Sequence, residues 1–439
     1  MQDVLKNCFE KVRNSDTVEH SGKVMKVVGL TVESNGPAVN MGNICRIYPF
    51  SGDKYVEAEV VGFNDQRVLL MPFGDMTGIG FGSRVVSTGR SLRVAVSHDL
   101  IGRVLDALGN PMDDGEPIQI SGYYPVDNVP PNPLSRKRIL EAFSLGIRAI
   151  DGLLTVGQGQ RLGIFAGSGV GKSTLLGMIA RNAVADVNVI VLVGERGREV
   201  KDFLEKDLGE EGLKKSVLLV ATSDQPALLR LKAAMVGTSI AEYFRDQGMK
   251  VLLLMDSVTR FAMAQREIGM AVGEPPVSRG FPPSVFSILP KLLERSGTSA
   301  NGSITGLYTV LVEGDDMNEP ISDTVRGILD GHIVLSRSLA TSNHYPAIDV
   351  LESVSRTMKD IIPPEQYEQA GRIKNLMASY RNSKDLIDIG AYKLGSNAEI
   401  DAAIRLHPRI NKFLRQAVDE TTSYEQIRED MDALCRTDC

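Results

Sequence analysis

The stretch Gly167-Ser168-Gly169-Val170-Gly171-Lys172-Ser173-Thr174 gathers three glycines, one ammonium and three hydroxyls into eight residues. Glycines let a backbone turn its N–H groups inward around a polyphosphate. A helix opening at Lys172 would add its partial positive charge to the same spot. Lys172 has the reach for β- and γ-phosphates, and the Ser173 hydroxyl can ligate Mg²⁺. The generic pattern asks for glycine five positions before Gly171, where this chain has Ala166. A small residue there still lets the loop close. The competing interpretation is a glycine-rich strand-to-helix turn that binds nothing. The Gly-Lys-Ser triplet between an apolar run and an apolar-rich segment favours phosphate.

Two further runs deliver carboxylates. Val251 to Asp256 reads V-L-L-L-M-D, a buried strand ending in an acid. Buried strands often end this way. Downstream of a phosphate loop, such an acid steers Mg²⁺ directly or through water, opposite the loop serine. Val191 to Val200 reads V-L-V-G-E-R-G-R-E-V and brings Glu195 and Arg196 to a strand end. A carboxylate there can polarise a water for in-line attack on a γ-phosphorus, and the arginine can neutralise transferred charge. The bland alternative is a surface Glu/Arg cluster of weak ion pairs. The loop tips the choice toward catalysis.

These side chains need elements to carry them. Between about Ser135 and Asp360, apolar runs at Leu162–Phe165, Val187–Val193, Ser216–Ala221, Val251–Met255, Ile304–Val312 and Ile333–Leu335 alternate with helical stretches such as Pro226–Gln247 and Ser257–Met270. That order predicts a mostly parallel sheet with helices on both faces and ligands beyond the strands' carboxyl ends. Upstream, residues 22–96 follow period two. Val28, Leu30 and Val32 alternate, as do Val56, Ala58 and Val60, and short runs come after them at Val68–Met71, Arg84–Val86 and Leu92–Val96. Strands this short and this closely spaced predict a small β-barrel. A proline-rich connection (Pro125 to Pro133) leads into the α/β unit. After Pro363-Pro364 the pattern is helical, with apolar faces at Leu376, Met377, Tyr380, then Ile400, Ala403, Ile404, and Ile410, Phe413, Leu414, Ala417. The expected layout is an arm (1–21), a barrel (22–96), an α/β core (97–362) and a helical domain (363–439).

Composition narrows the partners. The 439 residues suit about three domains. A net charge of −6 argues against a broadly basic surface for nucleic acid or membrane. Met1 to Arg13 places Val4, Leu5, Phe9 and Val12 at helical spacing among charges, which suits neither a signal peptide nor a membrane span. It reads either as a helix packed on its own domain or as a docking helix for a partner. Cys8, Cys45, Cys435 and Cys439 lack zinc spacing and read as reduced thiols of a cytoplasmic protein.

Together with others further along the chain, these motifs resemble those of a known family. Gly194-Glu195-Arg196-Gly197-Arg198-Glu199-Val200 looks like the catalytic-glutamate motif of flagellar and type III secretion export ATPases. Gly273-Glu274-Pro275-Pro276, Pro282-Pro283-Ser284-Val285-Phe286 and Asp330-Gly331-His332-Ile333-Val334-Leu335-Ser336-Arg337 are similar to further family motifs, and the family itself carries Ala166. The resemblance runs from Gly22 to about Met431 and is nearest to the flagellar branch. More distantly, the chain looks like the catalytic β-subunit of rotary ATP synthases. The resemblance implies a RecA-like P-loop ATPase core in a homohexameric ring, between an N-terminal β-barrel and a C-terminal helical domain.

It also implies roles. Lys172 and Ser173 would hold phosphate and Mg²⁺, Glu195 would activate water, Arg196 and Arg260 would line the phosphate region, and Asp256 would serve the metal. Arg356, in Ser353-Val354-Ser355-Arg356, would reach a neighbouring subunit's nucleotide. Tyr345, in His344-Tyr345-Pro346-Ala347, matches an aromatic that stacks on adenine; by its residue type alone it is as readily a core tyrosine. The implied activity is ATP hydrolysis powering unfolding or release of exported flagellar proteins from their chaperones. The implied partners are a stator-like regulator and a central coiled-coil protein, at the cytoplasmic face of the flagellar base, peripheral to the membrane. Virulence secretion or rotary ATP synthesis stands as the alternative within the same chemistry. A non-catalytic ring subunit is opposed by Glu195. A nucleic-acid translocase is opposed by the acidic balance and by a barrel lacking a basic, aromatic-rich face.

Overall fold

The computed structural model of the chain describes residues 20–50, 54–312, 314 and 316–436. The helix expected at Met1–Arg13, together with Cys8 and Cys439, lies outside them. Among the described residues no helix is long and apolar enough to cross a membrane.

Six strands form the barrel: β1 (Ser21–Val28), β2 (Thr31–Ser34), β3 (Asn43–Tyr48), β4 (Val56–Asn64), β5 (Arg67–Pro72) and β6 (Arg84–Ser91). They close in the order β1-β2-β5-β4-β3-β6. Val24, Val32, Cys45, Ile47, Ala58, Val60, Leu70 and Val85 fill the interior, so the alternation at Val56–Val60 turns Ala58 and Val60 inward and leaves Val56 half-buried. Two expectations need correcting. The alternation from Val28 to Val32 is not one strand. Gly29, at φ +57°, adopts the left-handed turn that glycine takes without strain and folds β1 back onto β2 with Val27 opposite Val32. Val28 and Leu30 are exposed at that turn. Nor does the run Leu92–Val96 join the barrel. β1 pairs with β6 (Ser21 opposite Val86) and closes the ring of hydrogen bonds, leaving no free edge. β7 (Arg93–Val96) pairs instead with β9 (Gly122–Pro125).

The larger unit is built on a nine-stranded sheet. Its strands are β8 (Val104–Leu105), β10 (Arg161–Ala166), β11 (Val187–Glu195), β12 (Ser216–Thr222), β13 (Lys250–Asp256), β14 (Gly297–Thr298), β15 (Ser303–Leu311), β16 (Gly331–Leu335) and β17 (Ile348–Ser355). The order is β17-β16-β10-β15-β13-β11-β12-β8, with β14 antiparallel beside β15. Every apolar run expected as a core strand is present, and the pairings among β8, β10–β13, β15 and β16 are parallel. Central strands buried on both faces read as continuous apolar runs, which makes them visible in the sequence. β17 is not. It runs antiparallel to β16 at the sheet edge and alternates buried and half-exposed residues, so no apolar run marks it.

Three helices that succeed these strands bear on the site: α1 (Lys172–Asn182) after β10, α2 (Val258–Ala271) after β13 and α3 (Pro320–Ile328) after β15. The helical pattern after Pro363 is carried by α4 (Pro364–Asp388), α5 (Ala398–Leu414) and α6 (Tyr424–Arg436). The Asn397 side chain accepts from the Glu399 and Ile400 backbone N–H groups and so caps α5. Ala403, Ile410, Phe413 and Leu414 join the core of the sheet unit as expected. The stripe stops there, however. Ala417 is exposed beyond the end of α5, while Gln416 is buried. The Gln416 amide accepts from Arg148 N–H (2.9 Å) and donates to the Gly146 carbonyl (2.9 Å), while its backbone N–H donates to Tyr345 O (3.0 Å). One glutamine therefore ties the end of α5 to the core and to the Tyr345 turn.

Candidate active site

β10 is buried from Leu162 to Ala166 and ends where the glycines begin. Gly169 (φ +75°) and Gly171 (φ +87°) occupy the left-handed region, where a Cβ would be strained. Gly171 caps α1 with no side chain of its own. The free N–H groups of the first turn of α1 therefore face the loop, as an anion site requires. Val170 is buried, so only its backbone belongs to the site. The Thr174 hydroxyl bonds the Asp207 carboxylate. Loop and helix start line a cleft of about 680 Å³, which Glu195, Arg196, Glu199, Arg260 and Arg337 also line.

The sheet order brings the carboxylates to this cleft. β13 and β11 stand two and three strands from β10, and their last residues are Asp256 and Glu195. Lys172 Nζ lies 2.5 Å from Asp256 Oδ1 and 3.6 Å from Glu195 Oε1. Thr309, on the intervening β15, donates to the same Asp256 oxygen at 2.7 Å. Nothing in the local sequence marks Thr309 except a polar residue inside an apolar run. Asp256, read as a metal residue, is here the partner of the loop lysine.

Glu195 stands just past a bulge: the pairing of β11 with β12 shifts between Val193 and Glu195, and Gly194 sits at φ +71°. Bulges re-aim the side chains beside them. The Glu195 side chain is 12% exposed. Burial, reinforced by a hydrogen bond with Glu199 and by the Asp256 charge, pushes its carboxyl up to about 7. The same bond holds Glu199 below its ordinary value. A carboxyl poised near neutrality suits a general base. Arg260 Nη1 donates to the Gly194 carbonyl at 3.1 Å, which fixes that guanidinium beside the bulge. Arg196 lies at the cleft mouth, its side chain 79% exposed and 3.9 Å from Glu199.

The donors also fit a hard cation. Among the described residues no cluster of three or more His, Cys, Asp or Glu could cage a metal. Ser173, Asp256 and Glu195 supply only oxygen, and too few for a protein-only site. Mg²⁺ is commonly held in this way, by one or two carboxylates with waters and substrate phosphates.

Two residues lie away from the carboxylates. Tyr345 is 41% exposed, so it is no core residue, and its ring borders the loop: a Cβ on Gly171 would stand 3.4 Å from Tyr345 Cε1. Arg356 comes directly after β17. Ser355 pairs with Gly331 at the start of β16, whereas Leu335 at its end pairs with Ala166, immediately before the loop. Four residues of strand, about 13 Å, thus separate Arg356 from the loop along the sheet. Arg356 and its own Lys172 lie at opposite strand ends. The suggested surface partners Asp349 and Glu352 are taken by Arg381, at 2.7 and 3.3 Å. Arg356 Nη2 instead meets the Arg326 carbonyl at 3.5 Å.

Residues 146–355 match the nucleotide-binding domain of the ATP synthase alpha/beta family, 24–89 its beta-barrel domain, and 362–433 the T3SS EscN ATPase C-terminal domain. The flagellum-specific ATP synthase of Bacillus subtilis (strain 168) is 56% identical over 423 residues, 96% of this chain and 95% of that one. The type 3 secretion system ATPase of Xanthomonas euvesicatoria is 51% identical, covering 93% and 92%. The chain belongs to the flagellar and type III secretion branch of the ATP synthase α/β family. The assembled ATPase EscN of the enteropathogenic E. coli type III secretion system superposes with a TM-score of 0.89 at 47% identity, covering 94% of this chain and 99% of that one. This type III export ATPase thus has the barrel, RecA-like core and helical domain expected for it. The nucleotide-binding match contains every loop residue, Glu195, Asp256 and Tyr345, and stops one residue short of Arg356.

Proposed function

We propose that this ATPase hydrolyses ATP with Mg²⁺ to energise export of flagellar proteins at the cytoplasmic base of a flagellum. The observation that carries the chemistry is Glu195, held at a strand end 3.6 Å from the loop lysine in one cleft. In this reading the backbone N–H groups of Gly167 to Thr174 cradle the phosphates. Lys172 exchanges Asp256 for the β- and γ-oxygens, because a dianionic phosphate outcompetes a single carboxylate for its charge. Ser173 and the released Asp256 would hold Mg²⁺, which would supply charge neutralisation on the phosphates. Glu195 takes the proton of the attacking water, Arg196 and Arg260 face the developing charge, and Tyr345 offers its exposed ring to the adenine.

The EscN structures are of the assembled ATPase and of its complex with a central stalk, EscO. Similarity over nearly the whole chain supports a homohexameric ring around a coiled-coil partner here. A stator-like regulator, chaperone-bound export substrates and peripheral membrane placement complete the proposal. The higher identity to the Bacillus subtilis flagellar relative than to the Xanthomonas secretion relative supports the flagellar branch.

Steady-state phosphate release from Mg-ATP, with Lys172→Ala as control, tests the chemistry. Losing charge-assisted bonds to the phosphates should weaken ATP binding roughly 10- to 100-fold, read by calorimetry. Near-wild-type affinity in a variant with unchanged circular dichroism would remove Lys172 from the site.

A further inference from the structure

A second cavity, of about 540 Å³, shares Arg260 and Leu311 with the nucleotide cleft. It lies against α2, from which Thr259, Met263 and Arg266 face it at helical spacing. Arg279 enters from the loop after α2, with Nη1 3.3 Å from Asp316. The Arg266 guanidinium lies over the Phe281 ring, 5.3 Å from its centroid. Half-buried Arg266 has no carboxylate within ion-pair distance among the described residues. The far wall is the start of α3, whose N-terminus adds partial positive charge. Glu319, beside that terminus, is the one carboxylate on the lining among the described residues. Among the described residues three guanidiniums therefore face Glu319, with Asp316 paired to Arg279, in a space large enough for a tetrahedral oxyanion with water.

We propose that this cavity receives the inorganic phosphate released by hydrolysis, passed on by Arg260. The proposal rests on the ATPase reading and adds a site to it. Water attack leaves ADP and orthophosphate side by side in the cleft, two multiply charged anions that repel one another. Arg260 borders both cavities and is held by its bond to Gly194, so it offers the departing anion a continuous cationic surface. Arg266 and Arg279 then present the forked donors that suit phosphate geometry. Phosphate leaves along α2 while ADP is still seated on the loop.

The test uses the full chain loaded with ADP and beryllium fluoride, which fill the nucleotide cleft including its γ-position. Inorganic phosphate titrated into that complex by calorimetry should bind once per chain. Arg266→Gln should weaken this about tenfold or more, the scale of a charged hydrogen bond, and Arg266→Lys should recover part of it. In steady-state turnover, Arg266→Gln should raise the inhibition constant for added phosphate while KM for ATP stays within about twofold, since no ATP contact is removed. No phosphate binding to the loaded wild type, or equal binding by Arg266→Gln, overturns the proposal. If ADP–beryllium fluoride itself does not bind, the ATPase reading is what falls. Phosphate titrated onto the ligand-free protein then still reads the site through its dependence on Arg266.

Discussion

Glu195→Gln should retain ATP binding and lose turnover by roughly 10²-fold or more, the scale of a removed general base. Glutamine keeps the size of the side chain and its place after the Gly194 bulge while removing the basic oxygen. Lys172 should still be held, because its shorter contact is to Asp256, 2.5 Å against 3.6 Å to Glu195. A pH signature separates loss of a base from loss of structure. A base must be ionised, and burial raises this carboxyl to about 7. In the wild type, kcat/KM should therefore climb with pH and level off above about 7, falling about tenfold per unit below it. The glutamine variant should lack that limb. Glu199 is the rival, since it shares a hydrogen bond with Glu195 and lines the same cleft. Unchanged turnover in Glu195→Gln with a collapse in Glu199→Gln would transfer the role to Glu199.

The candidate cleft is legible in the sequence because its parts are local. A buried strand, glycines at φ > 0 and a helix start lie within one short stretch, and each carboxylate ends its own apolar run. The contact that joins them is not. Lys172 meets Asp256 because β10, β15 and β13 are neighbours in the sheet, an order that no single segment encodes. Edge elements escape for a related reason. β17 alternates buried and half-exposed residues and so shows no continuous apolar run, while the Val28–Val32 alternation crosses the exposed turn at Gly29 and does not mark one strand. Gln416 escapes because a buried amide satisfied by backbone groups looks like any polar loop residue.

The arginine beyond β17 carries the other large expected effect. Arg356 sits at the end of the sheet opposite its own phosphate loop, so any catalytic role must be exercised on another subunit's nucleotide. Its guanidinium is exposed and, among the described residues, bound to a single carbonyl at 3.5 Å, with the nearby acids occupied by Arg381. Such a group is free to reorient toward a neighbour at little cost in this chain's stability. Arginine fingers contribute roughly 10³ to 10⁵ in rate in other phosphoryl-transfer systems. Arg356→Ala should accordingly fold, bind ATP and assemble, yet hydrolyse at least about 10³-fold more slowly. Wild-type specific activity should rise with protein concentration as rings form. Mixing supplies the decisive measurement. Neither Arg356→Ala nor Glu195→Gln rings turn over alone, but a mixed ring contains interfaces that join an intact Glu195 to an intact Arg356. In evenly mixed head-to-tail rings these are about a quarter of all interfaces, and activity should return on that scale. A surface arginine predicts the reverse: near-wild-type turnover in Arg356→Ala, concentration-independent activity and no gain on mixing.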